Sequence, residues 1–247
     1  MKKTFSSKKS AFSLIELSIV LIIIGLLIAG VTGGASLIKS SELRSVMGEA
    51  RGYAVLVNAF YTQYNGLPGD YSTALGSQST YKGDGDATIE FAATYNTIPG
   101  NESAIAFYQL YTLGAISTSL TAAASSTAQV AGTHLPTSKV KSAGWAFDYI
   151  SSQNVAVLTG TTAVTTADAQ TLNTKATGVI TPADALSIDA KIDDGLANAG
   201  KIRGGLTAAT GSSSCTDNAL STSAPTLYSV SNTTKTCSLT YQVDVNS

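Results

Sequence analysis

The sequence predicts an α+β fold in which one long N-terminal helix packs on a small antiparallel-sheet domain. A proline-free apolar run near the N-terminus continues as a helical stripe to Tyr64, and parts of the C-terminal half alternate apolar and polar residues as strands do. We divide the 247-residue chain into a leader (1–11), a membrane helix segment (12–38), an amphipathic helix segment (39–66) and a globular domain (67–247).

The N-terminal segment combines a basic leader with an apolar stretch long enough to cross a membrane. Four of the fifteen basic residues lie in the first ten positions, and Glu16 is the only charged residue between Phe12 and Ile38. At about 1.5 Å per residue, residues 12–31 span roughly the 30 Å core of a bilayer. The leader lysines predict that this end stays in the cytoplasm.

Three interpretations of this segment compete. A secretory signal peptide would be cut near residues 29–35, and a plain signal anchor would not be cut; neither explains a carboxylate at Glu16, which costs a few kcal/mol in a membrane helix. A cut between Ala11 and Phe12 would leave a free amine at Phe12, one helical turn from Glu16. The Glu16 carboxylate would then pair with this amine, or with that of a neighbouring subunit, and register one helix against the next.

The basic leader, Ala11 and the run Phe12-Ser13-Leu14-Ile15-Glu16 resemble the N-terminus of the type IV prepilin and pseudopilin family. This resemblance implies a pilin-like fold, cleavage between Ala11 and Phe12 by a membrane-embedded prepilin peptidase, and N-methylation of Phe12. The family usually has Gly before the cut, so we expect Ala11 to lower the efficiency of cleavage.

The resemblance also implies a function, partners and a location. The function is that of a structural subunit, either a type II secretion pseudopilin or a major or minor type IV pilin. The implied partners are other pilin or pseudopilin subunits in a helical homo- or hetero-filament, an inner-membrane assembly platform, and membrane lipid. The implied location is the inner membrane, crossed once, with the C-terminal domain in the periplasm or outside the cell, and the pilus or pseudopilus after assembly.

The second half of the long helix is amphipathic. From Leu43 to Tyr64 the apolar residues recur every three or four positions, and Asn65-Gly66-Leu67-Pro68 predicts the end of the helix. In the globular part we predict a helix over 101–114, a strand pair over 145–160, a helix from Thr181 to about Gly195, and a final strand over 239–245.

Charge and histidine content argue against two other classes of protein. Without the first ten residues, eleven basic residues face sixteen acidic ones, so we expect no nucleic-acid partner. The single histidine, His134, is expected in a solvated loop, and the scattered carboxylates suggest no catalytic site. We therefore predict that the chain is not an enzyme; the alternative function is a membrane-anchored periplasmic binding module of the adhesin type.

The two cysteines, Cys215 and Cys237, lie 22 positions apart near the C-terminus. In a cytosolic enzyme they would be buried thiols or half of a metal site. Behind a membrane anchor, such a pair favours a single disulfide.

The segment 83–90 has two interpretations. Asp84, Asp86 and Glu90 are spaced as the oxygen ligands of a calcium loop are, but the later glycine and twelfth-position glutamate of an EF-hand are missing. An Asp/Gly turn is the other interpretation. Apart from this calcium alternative, we expect no cofactor.

Overall fold

The computed structural model confirms the α+β architecture. It describes residues 13–73, 75, 81–91, 102–122, 129–160, 176–204, 215–217 and 226–244. In chain order the elements are α1 (Leu14–Tyr64), α2 (Glu102–Thr112), β1 (Ala143–Ile150), β2 (Gln153–Gly160), α3 (Pro182–Ile192), β3 (Ile202–Gly204) and β4 (Leu239–Gln242).

Backbone contacts divide the chain into two compact units, Met1–Glu42 and Leu43–Ser247. In the first unit α1 is apolar on every side, with Leu14 88% and Leu37 73% exposed. A helix that is apolar all round requires lipid or other helices as its surroundings.

In the second unit, α1 is amphipathic and buries one face in the domain. Its buried residues repeat at the helical spacing and are Leu43, Val46, Ala50, Val57 and Phe60. α1 ends at Tyr64, and Asn65 follows in the left-handed conformation with φ 53°, as the predicted terminator requires.

An aromatic cluster joins α1, α2 and β1 within this unit. Tyr53 of α1 packs edge-on against Phe107 of α2, with ring centroids 5.5 Å apart, and lies 5.6 Å from Trp145 of β1. Phe107 in turn stacks on Phe147 of β1 at 4.4 Å. The buried rings of Phe107, Trp145 and Phe147, with the partly buried Tyr53 packed against them, make this contact a main part of the core.

The sheet has four antiparallel strands in the order β1-β2-β4-β3. The predicted strand pair is confirmed, and its turn is formed by Ser151 and Ser152, both at positive φ. The predicted final strand is shorter, since β4 ends at Gln242, and Val245 lies outside the described residues. The three-residue strand β3 was not predicted, because so short a strand carries too few alternations to be recognised.

The two predicted short helices are also confirmed. Thr181 caps α3 by accepting the Asp184 N–H, and Pro182 occupies the first helical position. α2 begins at Glu102; the predicted cap, Asn101, lies outside the described residues.

Candidate functional site

The start of α1 is held by a capping box between Ser13 and Glu16. The Ser13 N–H donates to Glu16 Oε2 at 2.8 Å, and the Ile15 N–H donates to Ser13 Oγ at 3.3 Å. This Ser-x-x-Glu arrangement satisfies N–H groups that the first helical turn leaves unpaired. The predicted cleavage residues, Ala11 and Phe12, lie outside the described residues.

α1 is long and apolar enough to cross a membrane. Its most apolar window has a mean hydropathy of 2.8, and none of that window is buried inside the protein. Among the described residues, α1 is the one helix whose length and composition would allow it to cross a membrane.

The predicted calcium residues of the 81–91 loop take part in different contacts. Asp86 Oδ1 accepts hydrogen bonds from the Thr88 N–H at 2.9 Å and the Thr88 hydroxyl at 2.7 Å, which is an Asx turn. Asp84 Oδ1 accepts the Asp86 N–H at 3.2 Å, and the Glu90 side chain hydrogen-bonds Glu102.

Asp70, which lies just after α1, fixes this loop by accepting hydrogen bonds from three of its backbone N–H groups. Its Oδ1 accepts the N–H groups of Gly85 and Asp86 at 2.6 and 3.0 Å, and its Oδ2 accepts that of Ala87 at 2.9 Å. A side chain at Gly83 would overlap the Asp70 backbone, so the loop approaches this closely only with glycine there. Burial raises the pKa of Asp70 to about 6, although the three backbone N–H groups oppose that rise.

Glu102, the first residue of α2, is fully buried beside the same loop. It accepts the Glu90 N–H at 3.1 Å and the Asp84 N–H at 3.4 Å. Desolvation by burial raises the pKa of Glu102 far above its usual value of 4.5, and its side-chain hydrogen bond to Glu90 adds to the rise.

Asp70, Asp84 and Glu102 offer carboxylate oxygens within 4.8 Å of one another, and this set differs from the predicted one. Only Asp84 is common to both. Sequence reasoning missed the other two because they lie 32 positions apart, after α1 and at the start of α2. The set has the oxygen chemistry of a cation site, but all three carboxylates already accept hydrogen bonds from backbone N–H groups.

A second carboxylate set lies at the C-terminal end of α3 and consists of Asp189, Asp193 and Asp194. Buried Asp189 accepts the Tyr228 hydroxyl at 2.7 Å and the Gly195 N–H at 3.1 Å, and burial raises its pKa to about 6. Asp193 accepts the N–H of Lys201, just before β3. These contacts tie the end of α3 to β3, which is a structural role.

Cys215 and Cys237 form a disulfide with a Cα–Cα distance of 5.1 Å, and both are fully buried. Cys237 pairs with Ile180 in an antiparallel bridge just before β4. The bond therefore fastens the 215–217 segment to the chain that enters the central part of the sheet.

Glu49 links α1 to the loop before β1, a role that the sequence did not suggest. Its carboxylate accepts the Ser138 hydroxyl at 2.6 Å, the Trp145 indole N–H at 2.8 Å and the Lys139 N–H at 2.9 Å. The only sequence signal was a charged residue next to the buried face of an amphipathic helix.

His134 lies in the 132–134 turn, as predicted, but it is partly buried rather than fully exposed to solvent. Its Nδ1 accepts the Val130 N–H at 3.2 Å. Burial lowers the pKa of His134, which favours the neutral ring.

Comparison with known protein families gives a match at the N-terminus. The long apolar helix fits a single-pass, membrane-anchored protein, and the helix together with the four-stranded sheet fits a pilin-like α+β fold. Residues 6–32 match the family model described as the prokaryotic N-terminal methylation motif. The chain thus carries the prepilin-type cleavage and methylation motif at its N-terminus. Neither the curated proteins nor the solved structures contain a match.

Proposed function

We propose that the chain is a structural subunit of a type IV pilus-like filament, either a type II secretion pseudopilin or a major or minor type IV pilin. The observation that carries this proposal is the methylation motif at 6–32, which continues without a break into an exposed apolar helix and then into a folded domain. A membrane enzyme or receptor needs an anchor of this length, but it has no need of a peptidase site at the anchor's cytoplasmic end.

In this function, prepilin peptidase cuts between Ala11 and Phe12 and the new amine of Phe12 is methylated. The Glu16 carboxylate meets the amine of an adjacent subunit and sets the register between helices. The exposed side chains of residues 14–38 exchange lipid for other helices during assembly, so burial in the filament core replaces burial in the bilayer.

Filament assembly is tested by expressing the full-length chain with a prepilin peptidase and an assembly platform. The expected result is processed protein in long filaments, seen in sheared material by electron microscopy with an antibody to the domain. Protein that is processed but remains in membrane monomers, with every platform tried, would contradict the filament role.

For the 81–91 loop we propose an Asp/Gly turn rather than a calcium loop with Asp84, Asp86 and Glu90 as ligands. The Asp86 carboxylate is already engaged by Thr88, and Glu90 by Glu102. Adding millimolar calcium should therefore leave the melting temperature of the full chain unchanged. A calcium-dependent rise that Asp86→Asn abolishes would refute the turn and support the calcium loop.

A further inference from the structure

A cleft lined by two lysines lies at the open end of the β1–β2 hairpin. Lys141 and Ser142 come just before β1, and Gly160 ends β2; the cavity between them and Lys235 has a volume of about 340 Å³. This volume lies at the small end of the range for ligand pockets, which suits a ligand of about monosaccharide size.

The charge of the cleft differs from that of the domain. Lys141 and Lys235 are both exposed, and among the described residues that line the cleft there is no carboxylate. Beyond the first ten residues, acidic side chains outnumber basic ones sixteen to eleven, so two lysines in one cleft are not part of a generally basic surface. An anion in this cleft would be attracted by both ammonium groups.

The wall that carries Lys235 is rigid. The Val179 N–H donates to the Cys237 carbonyl at 2.8 Å, and Cys237 is held by the disulfide. A side chain at Gly178 would overlap the backbone of Thr236, so these two segments touch directly next to Lys235. Lys235 thus lies immediately before a segment that is held by backbone hydrogen bonds and by the disulfide.

The part of the cleft formed by Gly160 and Thr177 is also held by backbone hydrogen bonds. The Gly160 N–H donates to the Thr177 carbonyl at 3.2 Å, and the Thr177 N–H donates to Thr159 Oγ1 at 2.9 Å. The side chains of Thr177 and Ser142 are exposed at the cleft and carry hydroxyl donors. A fixed frame reduces the entropy that binding must overcome.

We propose that this cleft binds a small phosphorylated molecule, with Lys141 and Lys235 on either side of its phosphate group. A phosphate monoester carries a charge of about −1.5 to −2 at pH 7, which two ammonium groups match, and lysine recognises phosphate as a point charge. The cavity is larger than a phosphate ion and leaves room for an attached group. This binding activity is independent of the filament role.

The test is isothermal titration calorimetry on the full-length protein in detergent micelles, at fixed ionic strength. The probes are inorganic phosphate, glucose 6-phosphate and glucose. We expect saturable binding of both phosphate probes at one site and no binding of glucose. Tighter binding of glucose 6-phosphate than of inorganic phosphate supports a phosphorylated molecule as the ligand. Equal affinities would assign the site to free phosphate and overturn the part of the proposal that concerns the attached group.

Lys141→Gln and Lys235→Gln should each weaken phosphate binding by about tenfold, as expected for the loss of a charge-assisted hydrogen bond. Lys191→Gln, an exposed lysine on α3, removes the same charge elsewhere and should leave affinity within about twofold. Unchanged melting temperatures show that the variants are folded. The proposal is overturned if the wild type binds neither phosphate probe, or if Lys191→Gln weakens binding as much as Lys141→Gln does.

Discussion

Glu16 has two separable roles at the start of α1. Its carboxylate accepts the Ser13 N–H at 2.8 Å, which is a cap within its own chain, and in our proposal it meets the amine of a neighbouring subunit. A cap needs only an oxygen acceptor, whereas an amine in a low-dielectric filament core needs a negative charge.

Glu16→Gln and Glu16→Leu separate these roles. Both variants should insert in the membrane and be processed at Phe12, yet assemble poorly, because both lack the charge. Glu16→Gln alone should keep the cap. The measurement is the fraction of processed protein in the sheared filament material. Normal filament yield from Glu16→Gln would show that the charge does not set the register.

Glu102 links the stability of the domain to pH. Its pKa is raised in the folded protein, so the folded state keeps a proton that the unfolded chain releases from about pH 4.5 upward. The stabilisation is therefore fully present below that pH and is lost as pH rises through and above neutrality, by at most about 1.4 kcal/mol per pH unit.

Glu102→Gln should remove much of this dependence, because a neutral amide imitates the protonated acid and still accepts one backbone N–H. The measurement is the free energy of unfolding by urea at pH 5, 7 and 9, followed by circular dichroism. The wild type should lose stability across this range more steeply than the variant. Parallel curves for the two proteins would mean that Glu102 is charged in the fold.

At the scale of elements, α1 is fixed to the sheet by a polar contact as well as by its aromatic face. Glu49→Ala leaves Ser138, Lys139 and the Trp145 indole without their acceptor. Hydrogen bonds to a charged group contribute about 1.5–3 kcal/mol each, and solvent can replace some of them here, so we expect a loss of about 2–3 kcal/mol. Glu42→Ala, on the same helix outside this network, should cost less than about 0.5 kcal/mol. Equal costs in urea unfolding would refute the role of Glu49.

The disulfide fastens the 215–217 segment to the approach to β4. Closing a loop of this size contributes about 3 kcal/mol in the chain-entropy model, so Cys237→Ser should lower stability and surface abundance without affecting cleavage at Phe12. Thiol labelling of unreduced, denatured protein from the envelope should find no free cysteine. Two labelled thiols would refute both the bond in the cell and the oxidising location that it implies.

Periodic elements were predictable from the sequence, and contacts between distant segments were not. α1, the β1–β2 pair and the Thr181-Pro182 start of α3 each follow from a local pattern of spacing or capping. By contrast, Asp70 and Glu102 meet at one loop only because the chain folds back, and no local pattern marks such a meeting. The calcium interpretation of Asp84, Asp86 and Glu90 stays untested, and the carboxylate group that the fold does bring together shares only Asp84 with it.

On the scale of the whole molecule, an apolar helix that needs neighbours and a domain with its own core lie in one chain. The first unit has no interior of its own, and the second buries an aromatic cluster, a sheet and a disulfide. The first unit can be surrounded by lipid or by other helices. In our proposal, cleavage between Ala11 and Phe12 allows such a chain to pass from the bilayer into a bundle of its own helices.

Processing at the Ala11–Phe12 bond is the central claim, and the mass of the mature chain tests it most directly. The full-length protein, expressed with a prepilin peptidase and extracted from membranes, is analysed by intact mass and N-terminal sequencing. The account predicts a chain that begins at Phe12 and carries one methyl group on its amine. A chain that begins at Met1, or one that begins beyond Ala29, would contradict it.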